Sequence, residues 1–127
     1  MKKVLIVEDE FMLQMMIEKM IEKMGYQIVA KAKSGNAAIE AVYKHNPDLV
    51  LMDVKLIGKY DGIQTIERIR SFSNVPVLYL TGNTEKDVFK RAEATQPMSF
   101  IIKPFEYTSL REAMEEMMTD QSHLKAE

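Results

Sequence analysis

The stretch "NPDLVLMDVKLIGKYDG", residues 46–62, decides how this chain folds. Its apolar run Leu49, Val50, Leu51, Met52 is hydrophobic on both alternating faces, the mark of a strand covered on both sides, and it ends directly in a carboxylate, Asp53. An ionised carboxylate resists leaving water, so a chain does not ordinarily aim a buried strand at one. The strand reads as a post that holds Asp53 at a site.

Working outward, four more short apolar runs follow the same plan: Val4 to Val7, Ile28 to Ala32, Val77 to Leu80 and Phe100 to Ile102. Amphipathic stretches with helix start and stop signals separate them. The first, Met12 to Met24, sets Met16, Ile17, Met20, Ile21 and Met24 on one side and closes at Gly25. The second opens after Ser34 and Gly35 and stops before Pro47, with Ala38, Ile39, Val42 and Tyr43 inward. The third follows Gly62 with Ile63, Ile66 and Ile69, Asp61 starting its turn. The fourth begins at Thr84, whose hydroxyl resembles a capping box with Asp87, and ends before Pro97. The last spans about Thr108 to Met118, with Leu110, Ala113, Met114 and Met117 on one stripe. Strand–helix alternation without repeats or low-complexity linkers predicts one α/β domain, a doubly wound five-stranded parallel sheet with helices on both faces.

Composition narrows the function. The 127 residues, 46% of them hydrophobic, suit one core and not two domains. The net charge is −2 and the basic residues are interspersed with acids, so direct nucleic-acid binding is not expected. The opening "MKKVLIVEDE" starts like a signal peptide, but Glu8 cuts its apolar run after four residues; neither a leader nor a membrane partner is expected. Without cysteine there is no disulfide, thiolate zinc site or thiol nucleophile, which fits a cytoplasmic location. The eleven methionines read as adaptable core filler. His45 reads as a charge complement at a helix C-terminus and His123 as part of a polar tail, neither of them catalytic.

An open parallel sheet binds ligands beyond the carboxyl ends of its strands. At those ends stand Glu8, Asp9 and Glu10, then Asp53, Thr81 and Lys103. Glu8, Asp9 and Asp53 would bring up to three negative charges together, which a cation or a proton must compensate. An all-oxygen cluster suits a hard divalent ion, Mg²⁺ in particular. Lys103 and Thr81 add an ammonium and a hydroxyl for an incoming anion. Together they describe a phosphoryl-transfer site in which an aspartate can be the nucleophile and an aspartyl phosphate the product.

The blocks "VLIVEDE", "LVLMDVKLIGKYDG", "VLYLTG" and "FIIKPF" resemble, in order and spacing, the signatures of response-regulator receiver domains, the phosphoacceptor modules of two-component signalling. The match runs from about Lys3 to Met118. The resemblance implies a (βα)5 flavodoxin-like fold with strand order 2-1-3-4-5, residues 1–120 forming the receiver domain and 121–127 a polar C-terminal tail. It implies that Asp53 takes a phosphoryl group from a sensor histidine kinase or phosphotransfer protein. Asp9 would bind Mg²⁺, with Glu8 assisting and Asp53 and the Lys55 backbone carbonyl as further ligands. Lys103 would pair with Asp53 and then the phosphoryl group, Thr81 would hydrogen-bond a phosphoryl oxygen, and Phe100 would be the aromatic that changes rotamer in the switch. Lys103-Pro104 is the expected cis peptide. Mg²⁺-dependent self-phosphorylation and slow autodephosphorylation put such a module between enzyme and signal protein. A downstream effector, or a second copy through the fourth helix, fifth strand and fifth helix, would read the repacked face.

The chain departs from the commonest family pattern. One extra residue stands between Asp53 and Asp61-Gly62, and Ile57 takes the place of a frequent proline, which implies a longer, less rigid loop. Glu8 stands where aspartate is commoner, and Phe100 where tyrosine is. Lys55 and Asn83 occupy the two positions that tune acyl-phosphate lifetime in relatives, beside a small Gly82. Two other readings compete: a pseudo-receiver, a binding module without phosphotransfer, and a phosphohydrolase with an aspartyl nucleophile. The second needs an aspartate two residues beyond the nucleophile, where Lys55 stands.

Overall fold

The computed structural model describes residues 2–82 and 86–126, with side chains through Thr119. Strands and helices alternate as β1 (Lys3–Val7), α1 (Phe11–Lys23), β2 (Gln27–Ala32), α2 (Gly35–His45), β3 (Leu49–Asp53), α3 (Gly62–Ile69), β4 (Val77–Thr81), α4 (Lys86–Glu93), β5 (Met98–Ile102) and α5 (Tyr107–Ala126). All strands are parallel, in the order β2-β1-β3-β4-β5. The doubly wound (βα)5 flavodoxin-like architecture and the strand order expected from the sequence are both present.

Period-2 alternation sorts the strand residues between two cores. Leu5, Val7, Val50, Met52, Val77 and Tyr79 face α2, α3 and α4, where Ala38, Val42, Ile63, Ile66, Ile69 and Ala92 meet them. Val4, Ile6, Leu49, Leu51, Leu78 and Leu80 face α1 and α5, against Ile17, Ile21, Leu110 and Met114. Every residue of β3 and β4 is buried, as the run at Leu49–Met52 requires. The edge strands β2 and β5 are mixed in burial, and both start before their apolar runs, at Gln27 and Met98. An edge strand needs only one covered side, so backbone pairing extends it past the hydrophobic residues.

Helix ends follow local chemistry. Ser34 caps α2 by accepting the Ala37 N–H at 3.2 Å, so Ser34→Ala should cost about 1 kcal/mol, measured as an earlier urea midpoint with unchanged slope. Asp61 and Gln64 form a reciprocal capping box on α3. The Gly25 that closes α1 sits at φ +88°, open to glycine without strain. The fourth helix ends at Glu93, before Pro97 as expected, where Thr95 turns back, its N–H and hydroxyl both donating to the Ala92 carbonyl at 2.9 and 2.6 Å. Its expected start, Thr84, lies outside the described residues, as does Asn83. The last helix continues to Ala126, well past Met118, since no glycine or proline interrupts the chain there. Lys103-Pro104 is cis as expected, and Gln96-Pro97 is cis as well.

Two residues expected to face inward lie at the surface. Met16 is 45% exposed, because α1 turns its Ile17–Ile21 stripe to the sheet and leaves Met12, Met15 and Met16 at the surface. Tyr43 is 79% exposed; it lies one step round from buried Val42 and packs edge-on against Phe72, ring centroids 5.8 Å apart. The methionines are therefore not all core filler: Met52, Met114 and Met118 are buried, whereas the α1 trio is not. No helix among the described residues is long and apolar enough to cross a membrane.

Candidate functional site

Strand order reverses between β1 and β3, and a crevice opens there beyond their carboxyl ends. Val7 pairs with Met52 in register, so the next step along each strand sets Glu8 beside Asp53. Glu8, Asp9 and Asp53 each contribute a carboxylate oxygen to a cluster in which these atoms lie within 4.8 Å of one another. Glu8 and Asp53 are buried, at 1% and 4% exposure.

Lys103 reaches this cluster from the end of β5. Its Nζ stands 3.2 Å from Asp53 Oδ1 and 3.5 Å from Glu8 Oε1, so a single ammonium serves two buried carboxylates. The compensation is incomplete: burial pushes the Glu8 carboxyl up to about 7. The Glu10 N–H opposes that rise, Asp53 adds to it by its charge and a hydrogen bond, and Lys103 counters it. Thr81 is buried at the end of β4, one residue beyond the Leu80 that pairs with Asp53, and its carbonyl accepts the Lys103 N–H at 2.8 Å. By strand alternation Thr81 shares a sheet face with Tyr79, and Tyr79 pairs with Phe100. Phe100 is half-buried between the rings of Tyr79 and Phe89, at centroid distances of 5.8 and 4.4 Å.

The loop after β3 folds back over the acids. The Lys55 N–H donates to Asp53 Oδ1 at 3.2 Å and the Ile57 N–H to Asp9 Oδ2 at 3.0 Å. The structure thus brings Glu8, Asp9, Asp53, Lys55 and Lys103 together, with Thr81 at the adjacent strand end and Phe100 farther along the α4 face. Glu10 is exposed and contributes only its backbone N–H.

One supporting residue, Gln14, has no place in the sequence expectations. Gln14, buried on α1, donates through Nε2 to the Glu8 carbonyl at 2.9 Å and the Ala32 carbonyl at 3.4 Å, tying the acidic loop to β2. A lone amide inside the apolar "FMLQMMI" was the available signal, since a buried amide must find partners. Asp61 caps α3 and also pairs with Arg91 of α4 at 3.0 Å.

Comparison with known proteins agrees with the fold. Residues 4–115 match the family model for the response regulator receiver domain. The transcriptional regulatory protein PdtaR of Mycobacterium tuberculosis is 38% identical over 90% of this chain, which spans 55% of that protein's length. Sporulation initiation phosphotransferase F of Bacillus subtilis is 30% identical, covering 92% of this chain and 94% of its own. Among solved structures, the N-terminal domain of a response regulator/sensory box/GGDEF protein from Carboxydothermus hydrogenoformans superposes with a TM-score of 0.86 at 32% identity, over 96% of this chain and 98% of that one.

Proposed function

This chain belongs to the response regulator receiver domain family, and from that premise we propose that it takes a phosphoryl group onto Asp53 from a sensor histidine kinase or phosphotransfer protein. The observation that carries this reading is the 3.2 Å approach of the Lys103 ammonium to a buried Asp53 within a three-carboxylate cluster. A buried acid so placed is a nucleophile with its counter-charge beside it. In the step, an Asp53 carboxylate oxygen attacks phosphorus, the P–N bond of the phosphohistidine breaks, and its electron pair leaves with the imidazole, which then takes up a proton. Lys103 balances charge on the transferred group, and Thr81 donates its hydroxyl to a phosphoryl oxygen. The name of the Bacillus subtilis relative, a phosphotransferase, fits this chemistry.

The donor set suits Mg²⁺. It is all oxygen, and burial, with the charge of Asp53 beside it, raises the carboxyl of one member, Glu8, to about 7, so the charged form of the cluster favours a compensating cation. Asp9 and Asp53, with the Lys55 carbonyl and Glu8, would hold the ion. Bound there, Mg²⁺ would neutralise charge developing on the phosphoryl oxygens.

Phosphorylation adds roughly −1.5 to −2 charges at the sheet end. Thr81 would move toward it and Phe100 would turn into the space released, repacking the face made by α4, β5 and α5. Residues 1–120 are the switching unit, and a downstream effector or a second copy would read that face. The donor has an apolar surface at hand in the exposed Phe11, Met12, Met15 and Met16 of α1.

The test is incubation with Mg²⁺ and acetyl phosphate, read by intact mass. One phosphoryl adduct is expected, absent when EDTA replaces Mg²⁺. No adduct under either condition would favour the pseudo-receiver reading, and continuous turnover of phosphoesters would favour the phosphohydrolase.

A further inference from the structure

Ile57 is 82% exposed, and its side chain does little for the fold, whereas its neighbour Leu56 is buried at 8%. Its backbone N–H nevertheless makes a specific long-range contact, donating to Asp9 Oδ2 at 3.0 Å across 48 residues of sequence. We propose that this N–H is a positioning group for the acidic pocket, fixing the Asp9 carboxylate so that its other oxygen is presented to the cation; the inference rests on the reading of Asp9 as a Mg²⁺ ligand.

Rotation about the last bond of an aspartate is soft, so an exposed carboxylate samples many orientations. A charge-assisted bond from a fixed amide to one oxygen removes that freedom and leaves the second oxygen's lone pairs for a metal. The amide is fixed from both sides. Leu56 anchors the preceding residue in the core, and the Lys55 N–H is already bonded to Asp53 Oδ1. Gly58 follows at φ +119°, a conformation that side chains resist, which turns the chain back immediately after Ile57. Two alternate amides of one loop thus serve two of the three carboxylates expected to hold the ion. A proline at position 57 would have no N–H to give. The residue type that departs from the common pattern is therefore the one that makes the contact chemically available.

The test compares Ile57→Ala, which keeps the N–H, with Ile57→Pro, which removes it. Mg²⁺ affinity of the full chain is measured by calorimetric titration, beside thermal melts in EDTA and the Ile57 amide resonance of the unsubstituted protein. Ile57→Ala should bind Mg²⁺ within about twofold of wild type and Ile57→Pro roughly tenfold more weakly, as for loss of a hydrogen bond to a ligating group, with the two variants melting together. The wild-type Ile57 amide should exchange slowly with solvent and lose that protection in Asp9→Ala. Equal Mg²⁺ affinity in wild type and a folded Ile57→Pro would overturn the proposal alone, as would an Ile57 amide indifferent to Asp9→Ala. Absence of any Mg²⁺ binding by the wild type would instead overturn the parent reading and take this inference with it. Should Ile57→Pro fail to fold, the amide measurement decides.

Discussion

Asp53→Asn is expected to abolish the acetyl-phosphate adduct while leaving the fold at least as stable as the wild type. The two halves of that outcome have separate causes. An amide oxygen is no nucleophile toward phosphorus at neutral pH, so the adduct disappears if Asp53 is the acceptor. Stability is retained because asparagine keeps the shape and an oxygen that can still accept from the Lys55 N–H and from Lys103, both 3.2 Å from Asp53 Oδ1. It also removes one of the two buried acids that share a single ammonium, leaving Lys103 to Glu8 alone. Relief of that repulsion would be worth about 0–1 kcal/mol, discounted because Lys103 is a quarter exposed and screened by solvent. Thermal melting in EDTA should move upward by up to a few degrees or stay in place. A marked fall would mean that the cluster is net attractive without a cation; a persisting adduct would move the acceptor elsewhere.

The parts of the molecule legible in its sequence are those where side-chain identity and position carry the same information. The run Leu49–Met52 had to be a strand covered on both faces, and topology then delivered its terminal Asp53 to the same edge as Asp9, Thr81 and Lys103. No property of a single residue was needed for that convergence, only that parallel strands share a direction. Facing was less legible where apolar residues surround a helix. Met16 and Tyr43 each sit one position from a buried neighbour, and hydrophobicity does not say which of two adjacent apolar residues turns inward. The contacts made by backbone were not legible at all. The Ile57 N–H on Asp9 has no side-chain signature: the missing proline and the extra residue imply a longer, less rigid loop but do not say where its amides point. Two of them donate to Asp53 and Asp9. Gln14 escaped for a related reason, since its role is played on the Glu8 and Ala32 carbonyls.

The same backbone logic makes Gly62→Ala a strongly damaging substitution. Gly62 opens α3 directly beneath the end of β3, and its N–H donates to the Val54 carbonyl at 2.8 Å, fixing how closely the two segments approach. A methyl group there would overlap the Asp53 carbonyl oxygen and come within 2.9 Å of both the Asp53 carbonyl carbon and Met52 Cγ. Backbone cannot rotate away as a flexible side chain can. Either the helix start lifts, breaking the Val54 bond and straining the Asp61–Gln64 capping box, or the end of β3 shifts and carries Asp53 away from Lys103. We expect a loss of about 3 kcal/mol or more, at the upper end for overpacking, which for a domain of this size lowers the melting temperature by roughly 10 °C. Phosphorylation by acetyl phosphate should slow even at temperatures where the variant is folded, because the acceptor itself is displaced. Gly82→Ala is the control: it lies near the same site, but a methyl there meets nothing within 4 Å, and stability should change by less than about 0.5 kcal/mol. Equal melting temperatures for the two variants would show that the contact between the start of α3 and the end of β3 can relax, and that the position of Asp53 does not depend on a glycine beneath it.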